Sequence, residues 1–477
     1  MLRKLARDVA VYGLGDILVK AIAFVQMPIY TKLLLFSKAE IGLWGSAMAV
    51  VGLLAAVLAV GMDSAYALYF FEAKDEAQQR TATSTAIWFT LGLTVPAVVL
   101  LTLNAKSLAL VFLEDAQHGW LLTVAMWLIP LQLVHTLGGQ ALRNQMRPRP
   151  FVLFNFLTVL FSVGAGVTVV SMGWARVEGV LLGSLIGQLL ILPARLWVIR
   201  NLLQWKLDSQ LMWKMIAYGA PLVIVSLAYW VSGQSSRLVI LKMRGDEESG
   251  LFSAAANLTV VLTMANGAIG QAWSPHAFKA HQTDPQQASL LFGRVLTLIM
   301  AGFGLLCVGF CAFGREGLLM LTKPIFLPAE SAIVPLALAA YALATTQVTA
   351  MGISIAKRTQ FLAIYAWVAA GVFIGVSALA VPRFGFVGCA WASFAANLVL
   401  TLVYLRKSQE LTPVAYQWKR GLMLAGLTFL GCLASRWLPT GPLPTSLARK
   451  RGLCLAFAIA LGMMARVRWP GVKLLPT

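Results

Sequence analysis

Apolar residues form long uninterrupted runs along the chain rather than alternating with polar ones. Ile41 to Gly61 and Trp120 to Ala141 are two such runs, and each is close to the roughly 20 residues that a helix needs to cross a ~30 Å hydrocarbon core. Strands of a membrane barrel would instead be short and would alternate. Because only helices and closed barrels satisfy their backbone in lipid, the pattern predicts an all-α, polytopic membrane protein.

The apolar runs predict 14 transmembrane helices. The last two are the least regular, because Arg436 interrupts the thirteenth and the run from Gly452 to Ala465 is short. Gly179, Gly183 and Gly187 recur every four residues in the sixth span, a spacing that allows close helix packing. The spans lie near residues 8–30, 41–62, 82–103, 119–141, 151–171, 178–199, 214–236, 250–272, 291–313, 331–352, 361–380, 387–405, 420–437 and 452–466.

Composition and charge agree with this assignment. Hydrophobic residues make up 59% of the 477 residues and charged residues 12%, whereas soluble domains carry about 25% charged residues. The larger share of the Lys and Arg residues falls on the side of the N-terminus, so the positive-inside rule predicts cytoplasmic N- and C-termini. The net charge of +20 is spread over loops that contact anionic membrane lipids. No basic run suits nucleic acid.

Motifs for catalysis and metal binding are missing from the sequence. The five cysteines include no Cys-x-x-Cys pair, and the four histidines lack metal-ligand spacing. Ser354 and Lys357 have the Ser-x-x-Lys spacing of a serine acyl-enzyme without its companion motifs. We therefore expect a protein that is not an enzyme, with no catalytic residue, no cofactor and no metal ion.

A weak internal repeat recurs at an offset of about 206 to 210 residues. Six helices return the chain to the same side of the membrane. The repeat therefore predicts two parallel six-helix lobes related by a pseudo-two-fold axis along the membrane normal, the plan of many secondary transporters. The lobes would be 1–205 and 206–410, followed by two additional helices and a cytoplasmic tail in 411–477. The matches include Tyr12-Gly13 with Tyr218-Gly219, Gly42 with Gly250, Gly61 with Gly270, Phe151 with Phe361, and Gly179 with Gly388.

Four charged residues fall within or at the ends of spans, where charge is costly and marks candidate functional residues. Asp16 and Lys20 lie four residues apart in the first span and share a face, while Asp63 ends the second span and Arg237 the seventh. In one interpretation Lys20 and Arg237 face a central water-filled cavity and attract a phosphate-bearing group. Asp16 would then restrain Lys20 or carry a proton. In the other, Asp16 and Lys20 form a structural ion pair, and Arg237 and Asp63 reach the headgroups.

A further signal comes from five segments: Val11–Lys20, Met27–Leu34 with Ala39–Leu43, Gly61–Ala65 with Phe70–Glu72, Tyr218–Leu222, and Gln271–Lys279. Together they resemble Wzx-type polysaccharide flippases, which belong to the multidrug/oligosaccharidyl-lipid/polysaccharide (MOP) exporter superfamily. The resemblance covers roughly residues 8 to 405, and Gln271–Lys279 is its most specific stretch. It implies two six-helix lobes in an inward- or outward-opening V, often with two extra helices.

The resemblance also implies a function. Such proteins flip undecaprenyl-pyrophosphate-linked oligosaccharide across the bacterial inner (plasma) membrane by alternating access, for O-antigen of lipopolysaccharide, capsule or exopolysaccharide. A polysaccharide polymerase and a chain-length regulator are candidate partners. Lys20, Arg237, Asp16 and Asp63 would then line a cationic cavity. Relatives often carry an acid where this chain has Ser236, so coupling to H+ or Na+, with Asp16 as the candidate carrier, stays open.

Other functions remain open from the sequence. A cation-coupled multidrug exporter of the same fold should offer acids to its cationic substrates, whereas the deep charges here include Lys20 and Arg237. A lipid II flippase fits the same features. A membrane glycosyltransferase or glycan polymerase should carry catalytic acids on a sizeable outer loop. The longest outer loops, near Ala105 to His118 and Gly314 to Glu330, are short.

Overall fold

The computed structural model describes residues 24, 26–356, 358, 360–437, 450 and 452–460, without the side chains of Gln271, Ala272 and Pro275. Throughout these ranges the regular secondary structure is helical and no strand is present. The prediction of an all-α protein is therefore confirmed.

The chain forms two compact units, Met1–Ser253 and Ala254–Thr477. A short π-helix, Ile29–Leu33, precedes the longer helices of the first unit. These helices are Lys38–Leu58 (α1), Met62–Glu72 (α2), Glu76–Leu103 (α3), Ala105–Leu113 (α4), Gly119–Asn144 (α5), Pro148–Ser171 (α6), Val177–Val198 (α7), Ser209–Gly233 (α8), Ser236–Arg244 (α9) and the start of Asp246–Thr283 (α10).

The second unit continues from α10. Its longest helix breaks at Gly385, where the backbone has a φ of 58°, and a 3-10 segment, Pro324–Ala332, precedes the helix that begins at Ile333. Residues 452–460 are also helical. The other helices are Pro285–Ala312 (α11), Gly314–Leu321 (α12), Ile333–Thr349 (α13), Met351–Ile355 (α14), Gln360–Leu411 (α15) and Trp418–Ala434 (α16).

Ten helical segments of the described ranges are long and apolar enough to cross a bilayer. They coincide with the predicted spans two to twelve, with the eleventh and twelfth joined in α15. The first span lies almost entirely outside the described residues, and the fourteenth is described only over 452–460. The chain is a multi-pass membrane protein, while the count of fourteen spans stays a prediction.

The helices recur with the offset of the sequence matches. Helix α11 begins and ends 209 residues after α3, and α12 begins 209 residues after α4. The residues that cap α3 and α11 are also 209 residues apart: Asp75 accepts a hydrogen bond of 2.7 Å from the amide of Gln78, and Asp284 accepts one of 2.9 Å from that of Gln286. Each such cap stabilises a helix start by about 1 kcal/mol. The lobe boundaries 1–205, 206–410 and 411–477 stay predictions.

Two features at helix surfaces bear on the sequence expectations. The predicted small-residue packing of the sixth span is present: a Cβ on Gly183 would overlap the backbone of Gly166, and one on Gly187 that of Ser162. Both long loops that the sequence predicts on the outer side, in contrast, are largely helical, as α4 and α12. These helices have 9 and 8 residues, too few to stand out as apolar spans.

Candidate functional site

Arg237 lies in the first turn of α9, just after α8 ends at Gly233. Its Nη1 donates a hydrogen bond of 2.5 Å to Oε1 of Gln234. Its side chain lies against α1, where a Cβ on Gly45 would be 3.1 Å from Cδ and 3.3 Å from Nε of Arg237. Glycine at position 45 therefore leaves room for the arginine.

Two buried polar atoms beside Gly45 have no hydrogen-bond partner within the described part of the chain. They are Nε of Arg237 and Oγ of Ser253, and the hydroxyl would be 2.6 Å from a Cβ on Gly45. Leaving a buried donor unpaired costs about 1–3 kcal/mol. A guanidinium N–H and a hydroxyl can both donate to a phosphate oxygen, so this position is suited to an anionic acceptor.

Next to Arg237, α1 and α10 meet backbone to backbone inside the first unit. A Cβ on Gly42 would overlap the carbonyl of Asp246, and a Cβ on Gly250 would overlap that of Lys38. Gly250 follows Gly42 by 208 residues, as Asp246 follows Lys38. The contact is therefore reciprocal under the repeat, as a local two-fold relation produces.

The polar contacts around these glycines are weak. Nζ of Lys38 lies 3.0 Å from Oε2 of Glu247, in a partly exposed ion pair, and such pairs contribute about 0–1 kcal/mol. The hydroxyls of Ser46 and Ser249 are 3.2 Å apart. Close packing without a strong ionic lock allows this contact to separate and re-form.

Arg176 joins the α6–α7 loop to the start of α1. It pairs with the Glu40 carboxylate, and its Nη2 donates a hydrogen bond of 3.1 Å to the carbonyl of Leu35. Its guanidinium also lies 5.1 Å from the ring centroid of Phe36. The hydrogen bond to Glu40 raises the pKa of Arg176, so the guanidinium that joins the two segments stays charged.

Asp63 does not come near Arg237. It is exposed in the first turn of α2, beyond the C-terminal end of α1, whereas Arg237 contacts α1 near its start. The helix from Gly45 to Leu58, 13 residues further on, alone spans about 20 Å. A carboxylate in a first helical turn stabilises the helix dipole, and this local role accounts for Asp63 where it lies.

Asp16 and Lys20 lie outside the described residues. Their places in a cavity, their pairing with each other and any coupling role of Asp16 stay predictions. A metal site has no support in the described ranges either, since no group of three or more His, Cys, Asp or Glu residues could hold an ion there.

Sequence reasoning missed a buried arginine. Arg195, near the end of α7, is only 2% exposed. Its Nη1 donates a hydrogen bond of 2.6 Å to the carbonyl of His135, and its Nη2 one of 2.7 Å to Oδ1 of Asn155. Gly138 makes room, since a Cβ there would be 3.0 Å from Cδ of the arginine. One side chain thus ties α5, α6 and α7 together.

The second repeat uses a neutral residue at the matching place. Tyr404 follows Arg195 by 209 residues, is 2% exposed, and donates a hydrogen bond of 3.0 Å to the carbonyl of Leu362. Both side chains tie neighbouring helices of their own repeat. The signal for Arg195 in the sequence was a lone cation inside an apolar run.

An apolar cavity of about 590 Å³ lies in the second unit, between α11 and the helical segment 452–460. Both sides of the cavity are apolar, and glycines in α11 widen it. Its lining residues are Gly302, Leu305, Leu306, Gly309, Phe310, Cys454, Leu455 and Ala458. Such a groove can hold a hydrocarbon chain.

A family model described as polysaccharide biosynthesis protein matches residues 5–281. No curated protein matches the sequence. Among solved structures, the inward closed conformation of the lipid II flippase MurJ is similar, with a TM-score of 0.76 at 12% identity over 95% of this chain and 98% of that one.

Two further transporter structures are similar as well. A MATE transporter in complex with MaD3S has a TM-score of 0.60 at 16% identity, over 89% of this chain and 96% of that one. A MOP superfamily transporter from Pyrococcus furiosus has a TM-score of 0.58 at 15% identity, over 85% of this chain and 95% of that one. These likenesses concern the fold.

Proposed function

Because this chain belongs to the polysaccharide biosynthesis protein family and has the fold of MOP superfamily transporters, we propose that it flips a lipid-linked oligosaccharide across the membrane. The proposed cargo is undecaprenyl-pyrophosphate-linked oligosaccharide, for O-antigen, capsule or exopolysaccharide.

One observation carries this proposal. The chain belongs to a polysaccharide family, and its described residues form mostly helices that are long and apolar enough to cross a membrane. Successive helices follow each other through short connections, of which 412–417 is a typical case. The solved structures that share this fold are those of transporters. We therefore assign a transporter rather than an enzyme.

Arg237 is the described residue best suited to the pyrophosphate. Its Nε, which has no acceptor among the described residues, and the neighbouring hydroxyl of Ser253 can both donate to phosphate oxygens. Lys20, in the first span, which the repeat matches to the seventh, is proposed as a second cation of the same site, and Asp16 as its other polar residue. Asp63, proposed from the sequence as a further cavity residue, lies too far from Arg237 to share this position. The oligosaccharide needs hydrogen-bonding groups rather than charge.

The polyprenyl tail needs an apolar surface open to lipid. The groove between α11 and 452–460 supplies one within the second unit, and we propose it as a surface for the tail. Moving a CH₂ group from water into an apolar environment is favourable by about 0.8 kcal/mol, but a tail that moves from lipid into the groove leaves no water. The groove therefore guides a tail that stays in lipid rather than binding it tightly.

Alternating access needs a contact that opens. We propose that the contact of α1 with α10 at Gly42 and Gly250 closes one end of the substrate's path through the membrane. The two helices would move apart when that end opens. The ion pair of Lys38 and Glu247 would break in the same step at small energetic cost.

Coupling to an ion gradient is a separate proposal, with H+ or Na+ as the ion and Asp16 as the carrier. Replacing Asp16 by Asn removes the titratable group while keeping the size of the side chain. We expect transport by the variant to lose its dependence on the proton gradient, measured in vesicles with an imposed pH difference. Unchanged dependence would remove Asp16 from coupling.

The proposed location is the bacterial inner membrane with both termini in the cytoplasm. A polysaccharide polymerase and a chain-length regulator are the proposed partners, because the flipped oligosaccharide must be consumed on the outer side. Lipid II is the nearest alternative cargo, since the structurally similar MurJ is a lipid II flippase. A cation-coupled drug exporter of the MATE fold is the second.

Depletion of this protein in living cells tests the function. Lipid-linked oligosaccharides are extracted, and their leaflet is determined with a membrane-impermeant sugar-modifying reagent on spheroplasts. We expect completed oligosaccharide to accumulate on the inner leaflet, and the trapped species identifies the glycan. Trapped lipid II would favour the first alternative. Normal exposure of every lipid-linked glycan, with no redundant transporter, would reject the flippase and favour the drug exporter.

A further inference from the structure

The linker between the two repeats, residues 199–208, is fixed to the surface of α3. The amide of Gln204 donates a hydrogen bond of 2.8 Å to Oγ of Ser84, and its side-chain Nε2 donates one of 2.9 Å to Oγ1 of Thr81. The hydroxyl of Ser84 also lies 3.4 Å from the carbonyl of Leu202. The linker is therefore seated on a helix rather than hanging free.

The same face of α3 extends this seat. The amide of Asp208 donates a hydrogen bond of 3.1 Å to Oγ1 of Thr85, and the indole of Trp88 donates one of 2.9 Å to the carbonyl of Gln204. Positions 81, 84, 85 and 88 recur every three or four residues and so form one stripe of the helix. This stripe holds the linker by its backbone, which leaves the linker side chains available.

Those side chains turn outward. Trp205 is 91% exposed, although its ring stacks on Trp88 with centroids 4.6 Å apart. Lys206 and Leu207 beside it are exposed too. An indole held in place by a second indole and left open to the surroundings is a rigid contact group rather than a mobile one.

Cations and aromatic rings continue on both sides of the linker. Trp197 is 64% exposed, and the guanidinium of Arg200 lies 4.2 Å from its ring centroid. In the first turns of α8, Trp213 and Lys214 are exposed as well. We name these residues the linker surface: Trp197, Arg200, Trp205, Lys206, Trp213 and Lys214.

The linker surface has a net positive charge. Asp208 is the one acid of residues 199–208, and its Oδ1 accepts a hydrogen bond of 3.0 Å from the amide of Leu211, capping α8. The two cations Arg200 and Lys206 therefore outnumber the one carboxylate of their segment, which is engaged in the helix cap.

We propose that the linker surface is a binding site for acidic phospholipid headgroups. Tryptophan rings favour the headgroup layer, where the apolar ring and the polar N–H are both satisfied. Lys and Arg beside a transmembrane helix attract anionic lipid by about 1 kcal/mol each. The linker also lies at the end of the membrane helices that the distribution of Lys and Arg assigns to the cytoplasm. Bound headgroups hold the connection between the repeats at the membrane surface.

The test compares two triple variants of the full-length protein in nanodiscs. One carries Arg200→Gln, Lys206→Gln and Lys214→Gln. The matched control carries Lys74→Gln, Arg149→Gln and Lys279→Gln, which removes the same charge from exposed positions outside the linker surface. Binding of fluorescent phosphatidylglycerol is titrated against phosphatidylcholine. We expect affinity for phosphatidylglycerol to fall on the order of 100-fold in the first variant and much less in the control, whose three cations lie in separate segments of the chain.

Salt dependence and tryptophan quenching are two further measurements of lipid binding at the linker surface. Phosphatidylglycerol binding by the wild type should weaken with salt, because exposed charges are screened. Quenching by brominated phosphatidylglycerol should fall in Trp205→Phe relative to the wild type. Equal losses in both triple variants, or equal binding of the two lipids by the wild type, would overturn the proposal.

Discussion

Within the described residues, the guanidinium N–H at Nε of Arg237 has no acceptor, and this is the residue-scale feature with the clearest chemical consequence. Arg237→Ala should lower polysaccharide export by more than about 10-fold, because the positive charge and the fork that fits phosphate oxygens are both lost. Arg237→Lys should restore export only in part, since lysine offers a point charge without the fork. Polymer at the cell surface is measured together with the amount of protein in the membrane.

Arg244→Ala is the matched control for this experiment. Arg244 lies in the same helix, α9, but is exposed and paired with Glu248 at 3.1 Å. Its loss should leave export close to normal, because exposed pairs contribute little. Full export by Arg237→Ala would show that the substrate is recognised elsewhere.

Arg195 and Tyr404 allow a comparison of the same position in two repeats. Arg195→Leu leaves the carbonyl of His135 and Oδ1 of Asn155 without their charged donor, and bonds to charged groups contribute about 1.5–3 kcal/mol each. Tyr404→Phe removes one neutral bond, which is worth about 1 kcal/mol. We expect a clearly larger fall in melting temperature for Arg195→Leu, measured in detergent. Equal falls would mean that the charge adds nothing.

Residue identity alone could not separate the charged residues by role. Arg237 and Asp63 look alike in the sequence, since each ends an apolar span. The structure places Arg237 against Gly45 with a buried unpaired atom and leaves Asp63 exposed in a helical first turn. Burial and partners depend on which helices pack together, and a single sequence does not state that.

At the scale of elements, the contact between α1 and α10 depends on glycine. Gly42→Ala places a Cβ where the carbonyl of Asp246 lies, so the helices must move apart and the closed end cannot form as it is. We expect a several-fold loss of export with normal membrane insertion. Gly164→Ala in α6 is the control, because a Cβ there meets nothing within 4 Å and alanine favours helix. Normal export in Gly42→Ala would remove this contact from the transport cycle.

The long helices were predictable because about 20 apolar residues leave lipid-spanning helix as the only stable structure. Helices α4 and α12 were not, since 9 and 8 residues carry too little periodic signal. The hydroxyl stripe at Thr81, Ser84 and Thr85 was not either. Serine and threonine in a helix often bond their own backbone, and only the packed chain shows that these hydroxyls hold the linker.

For the whole molecule, the repeat predicts the order of the membrane helices, and the distribution of Lys and Arg predicts which side of the membrane each loop occupies. Spans in each repeat are even in number, so the linker and both termini should share the cytoplasmic side. Cysteines introduced one at a time at exposed positions test this: Lys106→Cys in the first turn of α4, and Lys74→Cys and Lys206→Cys in the connections that precede α3 and α8. An impermeant maleimide should label the first in intact spheroplasts and the other two only after permeabilisation. The parent protein, with its own five cysteines, is the background. The reverse labelling pattern would mean that the protein has the opposite orientation in the membrane. The linker surface would then contact headgroups of the outer leaflet, and the contact of Gly42 and Gly250 would close the cytoplasmic end of the substrate's path.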